Sequence, residues 1–131
     1  MFIDTSGFLC FLDKRDSRHQ QAVAHYTSAR LRLTQSYVLA ELVALAESRN
    51  FSRTATLDFL VEIFDDARIE IVWVSEDLTE QAIHFLRKCK DKEWSLCDAV
   101  SFLLMEDYRI SEALTTDHHF EQADFIKLLD S

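Results

Sequence analysis

The chain contains no proline and only one glycine, Gly7. That scarcity excludes flexible linkers, proline-rich tails and the glycine-rich loops that cradle phosphates. It also excludes a nucleophile elbow of the GxSxG kind, and with it serine-hydrolase chemistry. The three cysteines, Cys10, Cys89 and Cys97, form no CxxC pair. An odd count in a short chain does not describe a disulfide framework, so they read as reduced core thiols. No apolar run approaches the roughly 20 residues needed to span a bilayer, and the opening MFIDTSGFLCFLDK lacks a basic leader segment. The expectation is a soluble, cytoplasmic protein with no membrane partner. Positive charge is scarce too: 14 Lys and Arg against 23 Asp and Glu leave a net charge of −9. Bulk electrostatic attraction to nucleic acid is thereby excluded, and any polyanion must be bound locally.

What the chain does have is apolar patterning. With 131 residues, 48% of them hydrophobic, one compact core can form, and a single domain over residues 1–131 is expected. Phe2-Ile3, Leu31 to Thr34, Ile69 to Val74, Ala113 to Thr115 and Phe125 to Leu129 read as short strands. Helical patterns lie between them: His19 to Ala29, Tyr37 to Ser48, Thr54 to Ala67, Leu78 to Lys90 and Leu96 to Tyr108. Strands alternating with helices predict an α/β fold with a largely parallel sheet. In such a sheet, sites form at the carboxyl ends of the strands.

Four acids stand at places where that matters. Asp4 closes the first strand and Asp117 closes the run Ala113 to Thr116, each also a good helix N-cap. Glu41 lies in the apolar helical run Tyr37 to Ala46, whose composition implies burial, so it must reach solvent, a partner or a cation. Asp98 follows Ser95 by three residues, the spacing of a capping box, and Asp77 with Glu80 has the same spacing. If Asp4, Glu41, Asp98 and Asp117 converge on one rim, their repulsion calls for a divalent ion, and hard oxygen ligands favour Mg²⁺ or Mn²⁺. Such an ion can activate water against a phosphodiester. Histidines His19, His25, His118 and His119 show no zinc spacing. Basic residues at Lys14-Arg15 and Arg87 to Lys92 read as solvated faces. Trp73, Trp94 and the phenylalanines read as core or a subunit face rather than a base-stacking platform. A phospho-receiver is disfavoured because the strand ending at Val74 carries no aspartate.

Taken together, Asp4-Thr5-Ser6, Asp16 to Ala22, Ser36 to Ala46, Ser95 to Ala99 and Thr115 to Phe120 resemble, in order and spacing, the PIN domain family, which includes the VapC-type toxin ribonucleases. The resemblance implies a three-layer α/β/α sandwich around a five-stranded, mainly parallel sheet. It further implies a Mg²⁺ or Mn²⁺ site, endoribonuclease activity on RNA, an antitoxin partner and a homodimer. By position, Asp4, Glu41, Asp98 and Asp117 are similar to the family's catalytic, metal-holding acids, and Ser6, Ser95 and Thr115 to supporting hydroxyls. The alternative is a catalytically silent PIN-like binding module that works through a protein partner.

Overall fold

The computed structural model describes all 131 residues. Five strands, β1 (Phe2–Ile3), β2 (Arg32–Gln35), β3 (Ile69–Val72), β4 (Glu112–Leu114) and β5 (Ile126–Lys127), form one sheet in the order β3-β2-β1-β4-β5. Every neighbouring pair is parallel, with Phe2 opposite Leu33 on one side and Ala113 on the other. The central strand β1 is fully buried on both faces, as the apolar Phe2-Ile3 pair requires.

Seven helices cross between the strands: α1 (Thr5–Leu12), α2 (His19–Ser28), α3 (Ser36–Ser48), α4 (Arg53–Phe64), α5 (Glu76–Lys88), α6 (Leu96–Tyr108) and α7 (His118–Gln122). From β1 the chain steps through β2 to β3 in one direction, then returns past β1 to β4 and β5. Right-handed crossovers place the helices of the two directions on opposite faces. Accordingly α1 packs on α2 and α3, and α3 on α4, while α6 packs on α5 and α7. The strand order reverses between β1 and β4, and a crevice opens there at the strand ends.

Helix α1 and the short α7 are additions to the elements read from sequence. Helix α1 is almost wholly apolar, TSGFLCFL, with five buried residues, so it shows no polar stripe to give a helical period. Its one glycine has a packing reason: a Cβ on Gly7 would stand 2.0 Å from the Leu114 carbonyl oxygen. The same carbonyl accepts the Asp4 amide at 3.1 Å, so α1 lies directly against β4 just below the crevice. Helix α5 starts earlier than expected, at Glu76, because Ser75 caps it by accepting the Leu78 amide. The Asp77 and Glu80 capping box therefore does not form, and Asp77 instead accepts from Gln81. All three cysteines are free; Cys10 and Cys97 are buried and Cys89 is half-buried. Trp73, by contrast, is 64% exposed beside Phe64 at the β3 edge, so it is not core.

Candidate functional site

Asp4, Glu41, Asp98 and Asp117 all line one open cleft of about 580 Å³ at the carboxyl ends of the strands. Asp4 follows β1, Asp117 follows β4, Glu41 projects from α3 and Asp98 from the first turn of α6. Asp4 and Asp98 are buried. Glu41 is exposed, one of the outcomes its apolar surroundings left open, because it sits on the side of α3 that borders the cleft.

Each carboxylate is held by one of its two oxygens. Thr115 Oγ1 donates to Asp4 Oδ2 at 2.9 Å. That uses its only proton, so the Ser6 hydroxyl, 3.1 Å away, is the donor between these two side chains. Ser6 Oγ accepts the Thr116 amide at 2.9 Å, and Thr115 Oγ1 accepts the Asp117 amide at 3.0 Å. Thr5 Oγ1 donates to Glu41 Oε1 at 2.9 Å. Asp98 Oδ2 takes the Ser95 amide at 3.1 Å and His119 Nδ1 at 3.0 Å. Asp117 Oδ1 takes the His119 amide at 2.9 Å. Asp4 Oδ1, Glu41 Oε2, Asp98 Oδ1 and Asp117 Oδ2 are engaged in none of these bonds.

The helix-cap explanation of these acids and the cleft explanation are thus compatible. The capping box of Ser95 and Asp98 forms in full, and Asp117 caps α7, yet each cap uses a single oxygen. Asp4 differs, since at the N-cap of α1 its side chain makes no cap hydrogen bond.

Burial pushes the Asp4 carboxyl up to about 7; the Thr5 amide and Thr115 hydroxyl pull it down, and the Asp98 and Glu41 charges push it further up. The only cation on the cleft wall is Arg49, at the C-terminal end of α3. Desolvation and mutual repulsion of this kind are what a divalent ion relieves.

The sequence does not mark Thr5, Arg49 or His119 as site residues, although His119 is among the histidines weighed for zinc. Thr5 was legible as the residue following Asp4. His119 reaches an acid 21 positions away, and nothing local announces that contact. Asp117, His118 and His119 also bring one ligand atom each within 4.8 Å of one another. His118 is exposed and His119 Nδ1 is engaged by Asp98, so no closed zinc site results.

The PIN domain family model matches residues 1–126. The chain belongs to the PIN domain family. This PIN domain is 30% identical over 129 residues to the 23S rRNA-specific endonuclease VapC20 of Mycobacterium tuberculosis, in two strains, covering 98% of this chain and 97% of the relative. Its fold is similar to the crystal structure of VapC20 from the same organism, a toxin that cleaves the sarcin–ricin loop. The TM-score is 0.84 at 29% identity, with 96% of each chain covered. The five-stranded parallel sheet flanked by helices is accordingly the PIN arrangement, and the family is one of nucleases that generally depend on a divalent metal. The all-oxygen donor set around the cleft fits such an ion.

Proposed function

We propose that this protein is a Mg²⁺- or Mn²⁺-dependent endoribonuclease, the toxin of a toxin–antitoxin pair acting in the cytoplasm, with residues 1–131 working as one PIN domain. One observation carries the reading: four carboxylates share a cleft, each held in place by hydrogen bonds from neighbouring hydroxyls, amides or an imidazole. Carboxylate oxygens are the hard ligands that Mg²⁺ and Mn²⁺ prefer over softer donors. No helix is long and apolar enough to cross a membrane.

A divalent cation bound there supplies Lewis acidity, lowering the pKa of a water and stabilising charge on the departing oxygen. The chain's own groups do the rest. Thr115, Thr5, Ser95 and His119 fix the rotamers of the acids before a cation arrives, so little reorganisation is left. Asp4, Asp98 and Asp117 would be its principal ligands, and Glu41 would hold it directly or through water. Ser6 supports Asp4 through Thr115. Arg49 is placed to meet a phosphate of the RNA, supplying the local positive charge that the overall acidity denies. The relative's action on 23S rRNA makes ribosomal RNA the first substrate to test. The exposed Val61, Phe64 and Trp73 form an apolar edge of the kind subunits cover, which supports a homodimer.

Purified protein incubated with ribosomal RNA is expected to cleave it with Mn²⁺ and not with chelator, and Asp4→Asn and Asp98→Asn to lose about 10³-fold in rate. Undiminished cleavage by both variants would refute the assignment of these acids. Manganese binding without cleavage of any RNA would favour the silent module acting through an antitoxin. Light scattering on the same sample reads the subunit count, and a monomer mass would remove the homodimer.

A further inference from the structure

Two of the four acids reach the cleft from different layers of the fold. Asp98 comes from the first turn of α6, and Asp117 from the link between β4 and α7. His119 joins them. Its side-chain Nδ1 lies 3.0 Å from Asp98 Oδ2, and its backbone amide donates to Asp117 Oδ1 at 2.9 Å. No other hydrogen bond connects the Ser95 to Asp98 turn with Asp117; the nearest tie, Trp94 Nε1 to Gln122 Oε1 at 3.0 Å, fastens the far end of α7. The Ser95 amide already donates to Asp98 Oδ2, so that oxygen is an acceptor and Nδ1 is the donor. The imidazole is largely covered, with its side chain 20% exposed.

The geometry points to His119 as a positioning residue that locks the Asp98 carboxylate relative to Asp117, leaving Asp98 Oδ1 as the oxygen available to a cation. The inference rests on the metal-nuclease reading above. Without the imidazole, Asp98 keeps the Ser95 amide but loses the bond that crosses from α6 to α7. Its carboxylate then turns under repulsion from the neighbouring acids, and the ligand set is no longer formed in advance. The role belongs to His119 and not to His118, whose side chain is 66% exposed and lies 3.7 Å from Asp117.

The test uses the full chain as wild type, His119→Ala, His119→Asn and His119→Gln, with Mn²⁺ binding by calorimetry, RNA cleavage kinetics and thermal melting. An asparagine amide can occupy the place of Nδ1, whereas a glutamine amide reaches past it. His119→Ala is expected to weaken Mn²⁺ binding about 10-fold or more and to lower kcat comparably, with KM for RNA within about twofold. His119→Asn restores both to within about threefold, and His119→Gln does not. Wild-type Mn²⁺ affinity in His119→Ala overturns the inference. So does an Asn variant that melts like wild type yet fails as fully as Ala.

A wild-type protein that neither binds Mn²⁺ nor cuts RNA refutes the underlying nuclease reading instead. Nitrogen NMR of the metal-free protein then decides His119 separately. A proton on Nδ1 whose signal moves in Asp98→Asn supports the positioning contact, and a proton on Nε2 alone overturns it.

Discussion

Asp16 lies in a surface turn beside its own arginine, whereas Asp4 lies at the end of β1 among hydroxyls, amides and other acids. In the turn, Arg18 Nε and Nη2 both meet the Asp16 carboxylate at 2.9 Å, and the Arg18 amide donates to it at 2.8 Å. The same Asp-x-Arg clip recurs at Asp13 with Arg15 and at Asp66 with Arg68. The Arg18 guanidinium holds the Asp16 carboxyl down to about 2, while burial raises that of Asp4 to about 7. Identical side chains therefore serve opposite ends. A clipped aspartate satisfies itself within three residues. Asp4 is oriented by Thr115 and Asp98 in part by His119, groups far along the chain, and the charge of the cleft acids is left for something the chain does not supply.

The contrast can be broken most severely at Gly7. A methyl group there has no room beside the Leu114 carbonyl, so Gly7→Ala should force α1 away from β4 and separate Ser6 and Asp4 from Thr115. A loss of about 3 kcal/mol in urea unfolding is expected, the upper part of the range for overpacking, together with weakened Mn²⁺ binding. The Asp-x-Arg clips should survive in the folded fraction, and a variant as stable as wild type would show that the contact is not close.

A middle-sized effect should appear in the pH dependence of stability without metal. Asp4 in the folded state holds its proton to about 7, while the unfolded chain releases it near 3.8. The folded state thus binds more protons between these values, and stability falls as pH rises from about 4 to about 7. Melting in chelator should show this decline, and Asp4→Asn should flatten it; a flat wild-type profile would contradict the buried charge.

The smallest effect belongs to the clip. Asp16 has a folded value of about 2 against 3.8 unfolded, so its contribution is complete above about 4 and vanishes as pH falls through about 2. Solvent screening limits it, and Asp16→Asn should cost about 1 kcal/mol at neutral pH. RNA cleavage should be unchanged, and a large loss of cleavage would erase the distinction between the two regions.

Much of the fold was legible because its signals are local. The boundaries of α6 at Leu96 and Tyr108 agree with the sequence reading, since Ser95 and Asp98 announce its start. The strands ending before Asp4 and Asp117 were legible from short apolar runs bounded by polar residues. Helix α1 was not assigned, because an element buried on most sides carries no periodic contrast. For Glu41, solvent, a partner and a cation all stayed open, since composition cannot tell which side of an apolar helix borders a cleft.

The sequence by itself determined the five strands, five of the seven helices, the parallel sheet and the four acids at places from which they can meet, because strand periodicity and cap chemistry act over a few residues. Only the tertiary structure decided which groups from elsewhere in the chain tie the oxygens of Asp4, Glu41 and Asp98. Those ties run from Thr115 to Asp4, from Thr5 to Glu41 and from His119 to Asp98. They span separations of 111, 36 and 21 residues, and the chain order reverses between β1 and β4 to bring their ends together. A hydrogen bond reaches about 3 Å, so contacts at such separations exist only once the sheet and both helical layers have closed around them.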